Sequence, residues 1–186
     1  MEAQAQLDLR EALKLAAASL KGAQVPFALI GSYALWAWGG PEPDHDVDFL
    51  VARQDASEAA QALGDNGFTV VQPAEDWLLK AYLDDALVDV IFRAADRGWA
   101  ERDDVARAEE LQVLSVQMPV LLPTELMNHK LQALEEHYCD FATLLPAARA
   151  LRERVDWPRV RCECAGNDYA AALLFLLERL RIIPEE

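Results

Sequence analysis

The chain has 186 residues, 53% of them hydrophobic, with a mean hydropathy of −0.02. It suits one soluble folded domain, or one with a small appendage, and is long enough for a sizeable core. Its 17 Lys and Arg against 32 Asp and Glu give a formal net charge of −15, which argues against general, sequence-independent binding to a polyanion. The imbalance is concentrated at the front: residues 1–92 carry 5 basic and 15 acidic residues, and residues 93–186 carry 12 and 17. An anion-binding surface is therefore expected to draw on the second half.

Cys139, Cys162 and Cys164 make an odd count with one C-x-C pair, which fits reduced thiols and speaks against a zinc site. No basic region followed by an apolar stretch and a cleavage site opens the sequence. The longest apolar run, Tyr169 to Leu177, is too short to span a bilayer. A cytoplasmic protein without membrane association is the expectation.

In chain order, Leu9, Leu13, Ala16, Ala17 and Leu20 recur at helical spacing, so residues 5–21 read as an amphipathic helix. Phe27 to Ile30 follows Pro26 as a first strand. Gly31-Ser32 reads as a strand-to-helix turn, with Ser32 capping a helix over Tyr33 to Trp38. After the loop marked by Gly39, Gly40, Pro41 and Pro43 comes an acidic strand, Asp46 to Val51. Alternation sets Asp46, Asp48 and Leu50 on one face and Val47, Phe49 and Val51 on the other. Two like charges so placed on a half-buried strand call for a cation between them, most simply a divalent metal.

Asp55 to Glu58 has the form of a capped helix start, and Gly67 closes that helix. Phe68 to Val71 reads as a short strand. Trp77 to Leu83 and Leu87 to Phe92 read as two strands joined in a hairpin at Asp84-Asp85-Ala86. Asp89 is the least expected residue within its apolar strand and calls for a partner. Residues 96–110 read as a charged surface helix, or a loop carrying one, and Val113 to Val120 as one more strand. Helices are then expected over 124–137, from 140 to about 154 with Pro146 as a break or fresh start, and over 167–182. The sum is an α+β fold: a mixed sheet with flanking helices in a core over residues 1–122, then a helical C-terminal subdomain over 123–186.

Gly31-Ser32, thirteen residues, Asp46-x-Asp48 and a third strand acid at Asp89 together resemble the signature of the nucleotidyltransferase fold of the DNA polymerase beta superfamily. That resemblance implies an enzyme that moves a nucleoside monophosphate from an NTP, such as ATP, to a hydroxyl acceptor. Two Mg²⁺ ions would serve both the attacking and the leaving oxygens. Asp46 and Asp48 would bind both ions, Asp89 one of them, and Asp89 would also be placed to take the hydroxyl proton. Gly31 and Ser32 would hold the triphosphate.

A second, more local likeness lies in Met127 to Leu134 followed by Cys139-Asp140-Phe141. These residues look like the Lys-Leu-x-Ala-Leu and downstream Asp element of AbiEii-type (MenT-like) nucleotidyltransferases, many of them toxins of toxin–antitoxin pairs. It implies nucleotide contacts from Lys130 and Asp140, tRNA as acceptor and an antitoxin protein as partner. The net charge favours instead a small acceptor of the aminoglycoside or lincosamide type, and a non-catalytic nucleotide-binding module stands as the reading from another class.

Blander roles compete at each position. Asp46 and Asp48, behind Asp44 and His45, would be a solvated pair at a strand entrance. Asp89 would be an edge-strand acid facing water, Lys130 a helix-surface lysine, and Asp140 a helix cap. Tyr33, Trp36 and Trp38 read as core aromatics. Arg149, Arg152, Arg154, Arg159 and Arg161 are the candidate for an RNA-phosphate surface, but Glu153 and Asp156 dilute it and a solvated helix face is the favoured reading.

Overall fold

The structure is a computed structural model and describes residues 2–43, 45–94 and 98–185. Asp44 in the loop before the acidic strand, and residues 96–97 of the charged segment, lie outside the described residues.

Helix α1 (Glu2–Gly22) carries the expected apolar stripe, and Leu9, Leu13, Ala16, Ala17 and Leu20 are all buried. It packs on the sheet at strands β2 (Val47–Val51), β5 (Ala86–Ile91) and β9 (Val116–Leu121), and also against α3 (Ala56–Asp65). Strand β1 (Phe27–Ile30) is buried at all four residues, as an apolar run with no polar alternation demands. The sheet has seven strands in the order β3-β4-β5-β2-β1-β9-β8, where β3 is Thr69–Val71, β4 is Leu78–Leu83 and β8 is Ala108–Val113. Neighbours are antiparallel except β2 with β5 and β1 with β9. The mixed sheet with flanking helices expected from the sequence is present.

The register fixes which residues share a face. Val47 lies beside Val88 and Phe49 beside Val90, all four fully buried, and Phe27 meets Phe49 edge to face at 5.4 Å between ring centroids. The opposite face of the same two strands carries Asp48 beside Asp89. Because β5 is interior to the sheet, Asp89 is buried rather than a solvated edge acid.

Several local expectations are corrected. Residues 108–121 form a hairpin, not a single strand: β8 and β9 meet through Leu114-Ser115, both at positive φ (49° and 72°). Such a turn is normally made by Asn or Gly, so nothing in Leu-Ser announced it. The charged segment is, of the two forms expected, the loop carrying a helix: among the described residues it holds the one-turn α4 (Arg102–Val105), which follows a two-stranded ribbon of β6 (Arg93–Ala94) and β7 (Gly98–Trp99). Asp55 does not cap α3 through its side chain; its buried carboxylate receives two bonds from Arg102, at 2.9 and 2.7 Å, tying α4 to the start of α3.

The helical part comprises α5 (Pro123–Gln132), α6 (Phe141–Leu151), α7 (Trp157–Glu163) and α8 (Asp168–Arg179). Helix α5 stops five residues short of its expected end, where Asn167 donates its amide to the carbonyls of Leu131, Gln132 and Leu134. Pro146 lies inside α6 without ending it; it and Ala142, whose carbonyl lacks the usual donor, are both exposed, so the unpaired group is on the solvent side of the helix. Helix α7 falls between the helices expected over 140–154 and 167–182. Buried residues of the sheet and of all four helices join in one hydrophobic core. Among the described residues, no helix is long and apolar enough to cross a membrane.

Candidate active site

Strand β1 runs into α2 (Gly31–Ala37) with no intervening loop, and the junction is built on Gly31. Its φ of +66° is in the left-handed region, and a Cβ placed there would lie 1.8 Å from Oδ2 of Asp48. Both the backbone and the neighbouring carboxylate therefore require glycine. Ile30 pairs with Asp48 across β1 and β2, which carries this close approach into the sheet register. Ser32 is not the cap the sequence suggested: Ile30 holds that position, with no side-chain cap. The Ser32 hydroxyl instead accepts a hydrogen bond from Nζ of Lys130, at 3.4 Å, so α5 reaches across to α2.

Asp46, immediately before β2, Asp48 on β2 and Asp89 on β5 offer carboxylate oxygens that all lie within 4.8 Å of one another. Burial first and the charge of Asp46 second push the Asp48 carboxyl up to about 7, with Asp89 adding to the rise and Lys130 and Lys80 opposing it. Asp89 is also raised, chiefly by burial, against the hydrogen bond and charge of Lys80. Crowded oxygens that resist losing their last protons are what a hard divalent cation relieves, and an all-carboxylate donor set suits Mg²⁺ or Mn²⁺ rather than a thiophilic ion. The residues present fit such an ion.

Lys80 belongs to none of the sequence motifs. It stands opposite Asp89 in the β4–β5 pairing, and its Nζ lies 3.2 and 3.3 Å from the two carboxylate oxygens. The signal was available: a two-residue turn at Asp84-Asp85 pairs Leu83 with Ala86 and, counting outward, Lys80 with Asp89. The longer turn expected, Asp84-Asp85-Ala86, would set Ala81 opposite Asp89 instead.

Other candidates sit elsewhere. Asp140 is exposed and caps α6, accepting from the Ala142 amide at 2.9 Å, and no contact among the described residues joins it to the three acids. Tyr33 is buried, as a core aromatic should be, whereas Trp36 and Trp38 are half-buried. The indole of Trp38 donates to the Leu121 carbonyl at 2.9 Å, and Arg154 stacks on its ring at 5.3 Å. The loop from α2 to β2 is pinned by the ion pair of Arg10 with Glu42, and Arg10 also covers the Trp36 ring.

Three of the five clustered arginines pair within the chain. Arg159 bonds Glu125 and Glu163, each at 2.7 Å, Arg161 pairs with Glu178, and Arg152 lies 3.0 Å from Glu153.

No family model matches the chain, and no curated protein matches it by sequence. Solved structures do match. The crystal structure of ANT(2")-Ia in complex with adenylyl-2"-tobramycin superposes with a TM-score of 0.62 at 13% identity, over 84% of this chain and 95% of that one. The solution structure of the antibiotic-resistance factor ANT(2'')-Ia gives 0.64 at 13% identity, over 96% and 99%. An antigenic nucleotidyltransferase-like protein from Paracoccidioides brasiliensis gives 0.52 at 12% identity, over 94% and 88%. The chain has the nucleotidyltransferase fold that these proteins share.

Proposed function

We propose that the protein is a metal-dependent nucleotidyltransferase that moves a nucleoside monophosphate from an NTP to a hydroxyl of a small molecule. The observation that carries this reading is the convergence of Asp46, Asp48 and Asp89 oxygens within 4.8 Å of one another, with Gly31 packed on Asp48 and Lys130 bonded to Ser32. In the transfer, the acceptor oxygen bonds to the α-phosphorus, the bond to the bridging oxygen breaks, pyrophosphate leaves and the hydroxyl proton goes to a base.

Divalent ions held by Asp46, Asp48 and Asp89 would supply neutralisation of the phosphates and activation of the hydroxyl. Asp89, its basicity raised by burial, takes the proton. Lys130 and Ser32 hold the triphosphate tail, since an ammonium and a hydroxyl already within reach of each other present donors to one anion. Gly31 leaves the space into which the Asp48 carboxylate fits.

A small acceptor is favoured over tRNA by the net charge of −15, and the engagement of Arg159 and Arg161 in internal pairs takes two of the five clustered arginines away from any polyanion, leaving Arg149, Arg152 and Arg154 exposed. ANT(2")-Ia, of the same fold, forms a complex with an adenylylated small molecule, and this supports the same choice. The toxin-type reading, with tRNA as acceptor and an antitoxin partner, rests on the Lys130 and Asp140 element. Its Asp140 half is accounted for by the cap of α6.

Incubating the protein with each NTP labelled at the α-phosphate, Mg²⁺, and separate pools of hydroxyl-bearing antibiotics and tRNA tests the proposal. Label entering the small-molecule pool and absent with Asp48→Asn is the expected result. Label entering tRNA alone would move the acceptor to the toxin class, and no transfer to any pool would overturn the enzyme reading.

A further inference from the structure

Each acid of the site lies in a different balance of charge. Asp89 is held through both oxygens by Lys80, at 3.2 and 3.3 Å, on a strand pair whose register places them directly opposite. Lys130 reaches the site from the other side, where it bonds Ser32 and acts on the charge of Asp48. Counted together, three carboxylates face two ammonium groups. The side chain of Lys80 is anchored by its strand and is only 31% exposed, so it is a fixed component of the site and not a passing surface contact. An ion coordinated by all three acids must take at least one Asp89 oxygen that Lys80 now occupies.

We propose that Lys80 is a positioning residue that holds the third carboxylate in place and competes with the divalent ion for it, so that the ion completed by Asp89 binds weakly until nucleotide phosphate arrives. Two things follow from the geometry. Lys80 spares Asp89 from standing as an unpaired buried carboxylate when no ion is present, which is otherwise costly. It also lowers the attraction of the empty cluster for cations by one unit of charge, so that the negative charge of the incoming triphosphate is needed to draw in the last ion. This inference rests on the nucleotidyltransferase reading, because it assumes that the three acids are metal ligands.

The test is equilibrium Mn²⁺ binding to the nucleotide-free protein, followed by the electron paramagnetic resonance signal of free Mn²⁺, with no turnover involved. Lys80→Met removes the competing charge and keeps the apolar stem; it is expected to bind Mn²⁺ about ten-fold more tightly than the native protein. Lys80→Gln, which leaves a neutral donor beside Asp89 and so guards against loss of folding, shifts affinity in the same direction. Lys80→Arg, which keeps the charge, stays near the native value. Unchanged or weaker Mn²⁺ binding in both Lys80→Met and Lys80→Gln overturns the proposal. Asp46→Asn is the separate control: if it leaves Mn²⁺ binding intact, the acids are not the metal site and the functional reading itself falls.

Discussion

Gly31 and Asp48 form a pair in which the smallest residue makes room for the most perturbed acid. A methyl group at position 31 must either push the Asp48 carboxylate aside or force the helix start out of its positive φ. Displacement of a reacting group by about 1 Å costs on the order of a hundred-fold in rate, so Gly31→Ala is expected to lose about that much transfer activity. Mn²⁺ binding should weaken with it. The measurement is transfer rate and Mn²⁺ affinity on protein shown by circular dichroism to be folded.

Asp48 also predicts a pH dependence. Its folded pKa, pushed up to about 7, lies above that of an unfolded aspartate, so between these values the folded state keeps a proton that the unfolded chain releases. Its contribution to metal-free stability is present at low pH and is lost as pH rises towards about 7. A divalent ion must displace that proton, so metal affinity rises over the same range and levels off above it. Thermal melts with and without Mn²⁺ at about pH 5 and about pH 8 should show the larger metal-induced rise at the higher pH. An equal rise at both would contradict the assignment.

At the scale of elements, the helices that follow the last strand are tied to one another by specific side chains as well as by the shared core. Asn167 accepts from the amides of Tyr169 and Ala170 at 2.9 and 3.0 Å while donating to the carbonyls at the end of α5, so one residue starts α8 and finishes α5. Asn167→Ala is expected to cost about 1–2 kcal/mol, read as a lower midpoint in urea.

Elements set by local pattern were legible: the stripe of α1, the run of β1, the alternation of β2 and the β4–β5 hairpin each follow from residue spacing. Those set by tertiary partners were not. The Leu114-Ser115 turn adopts a backbone that its residues disfavour, and the end of α5 is determined by Asn167, far along the chain. Asp55 had the form of a cap but turned to Arg102 instead. In the candidate site, Asp46 and Asp48 were readable from strand alternation and Asp89 as an acid within an apolar strand, whereas their grouping with Gly31 and Ser32 came from the family resemblance, because β2 and β5 pair over a long stretch of chain. Lys80 depended on the exact length of one turn, and the approach of Lys130 to Ser32 became visible only once α5 was packed on α2.

Across the whole molecule, acidity and architecture point the same way. A net charge of −15 argues against general binding to long polyanions, yet Lys80 bonds Asp89 and Lys130 acts on the charge of Asp48 from beside Ser32. Positive charge is thus concentrated beside the three acids, where the proposed function calls for a triphosphate to meet Lys130. The sheet delivers the acids from adjacent strands, β2 and β5, while α5 delivers Lys130 from the part that follows the last strand.

The most direct measurement of this arrangement is anomalous diffraction from crystals grown with Mn²⁺ and a non-hydrolysable NTP. The structure predicts a manganese peak within bonding distance of Asp46, Asp48 and Asp89, with the triphosphate against Ser32 and Lys130. Nucleotide bound elsewhere, or manganese absent from the three carboxylates while nucleotide is bound, would contradict it.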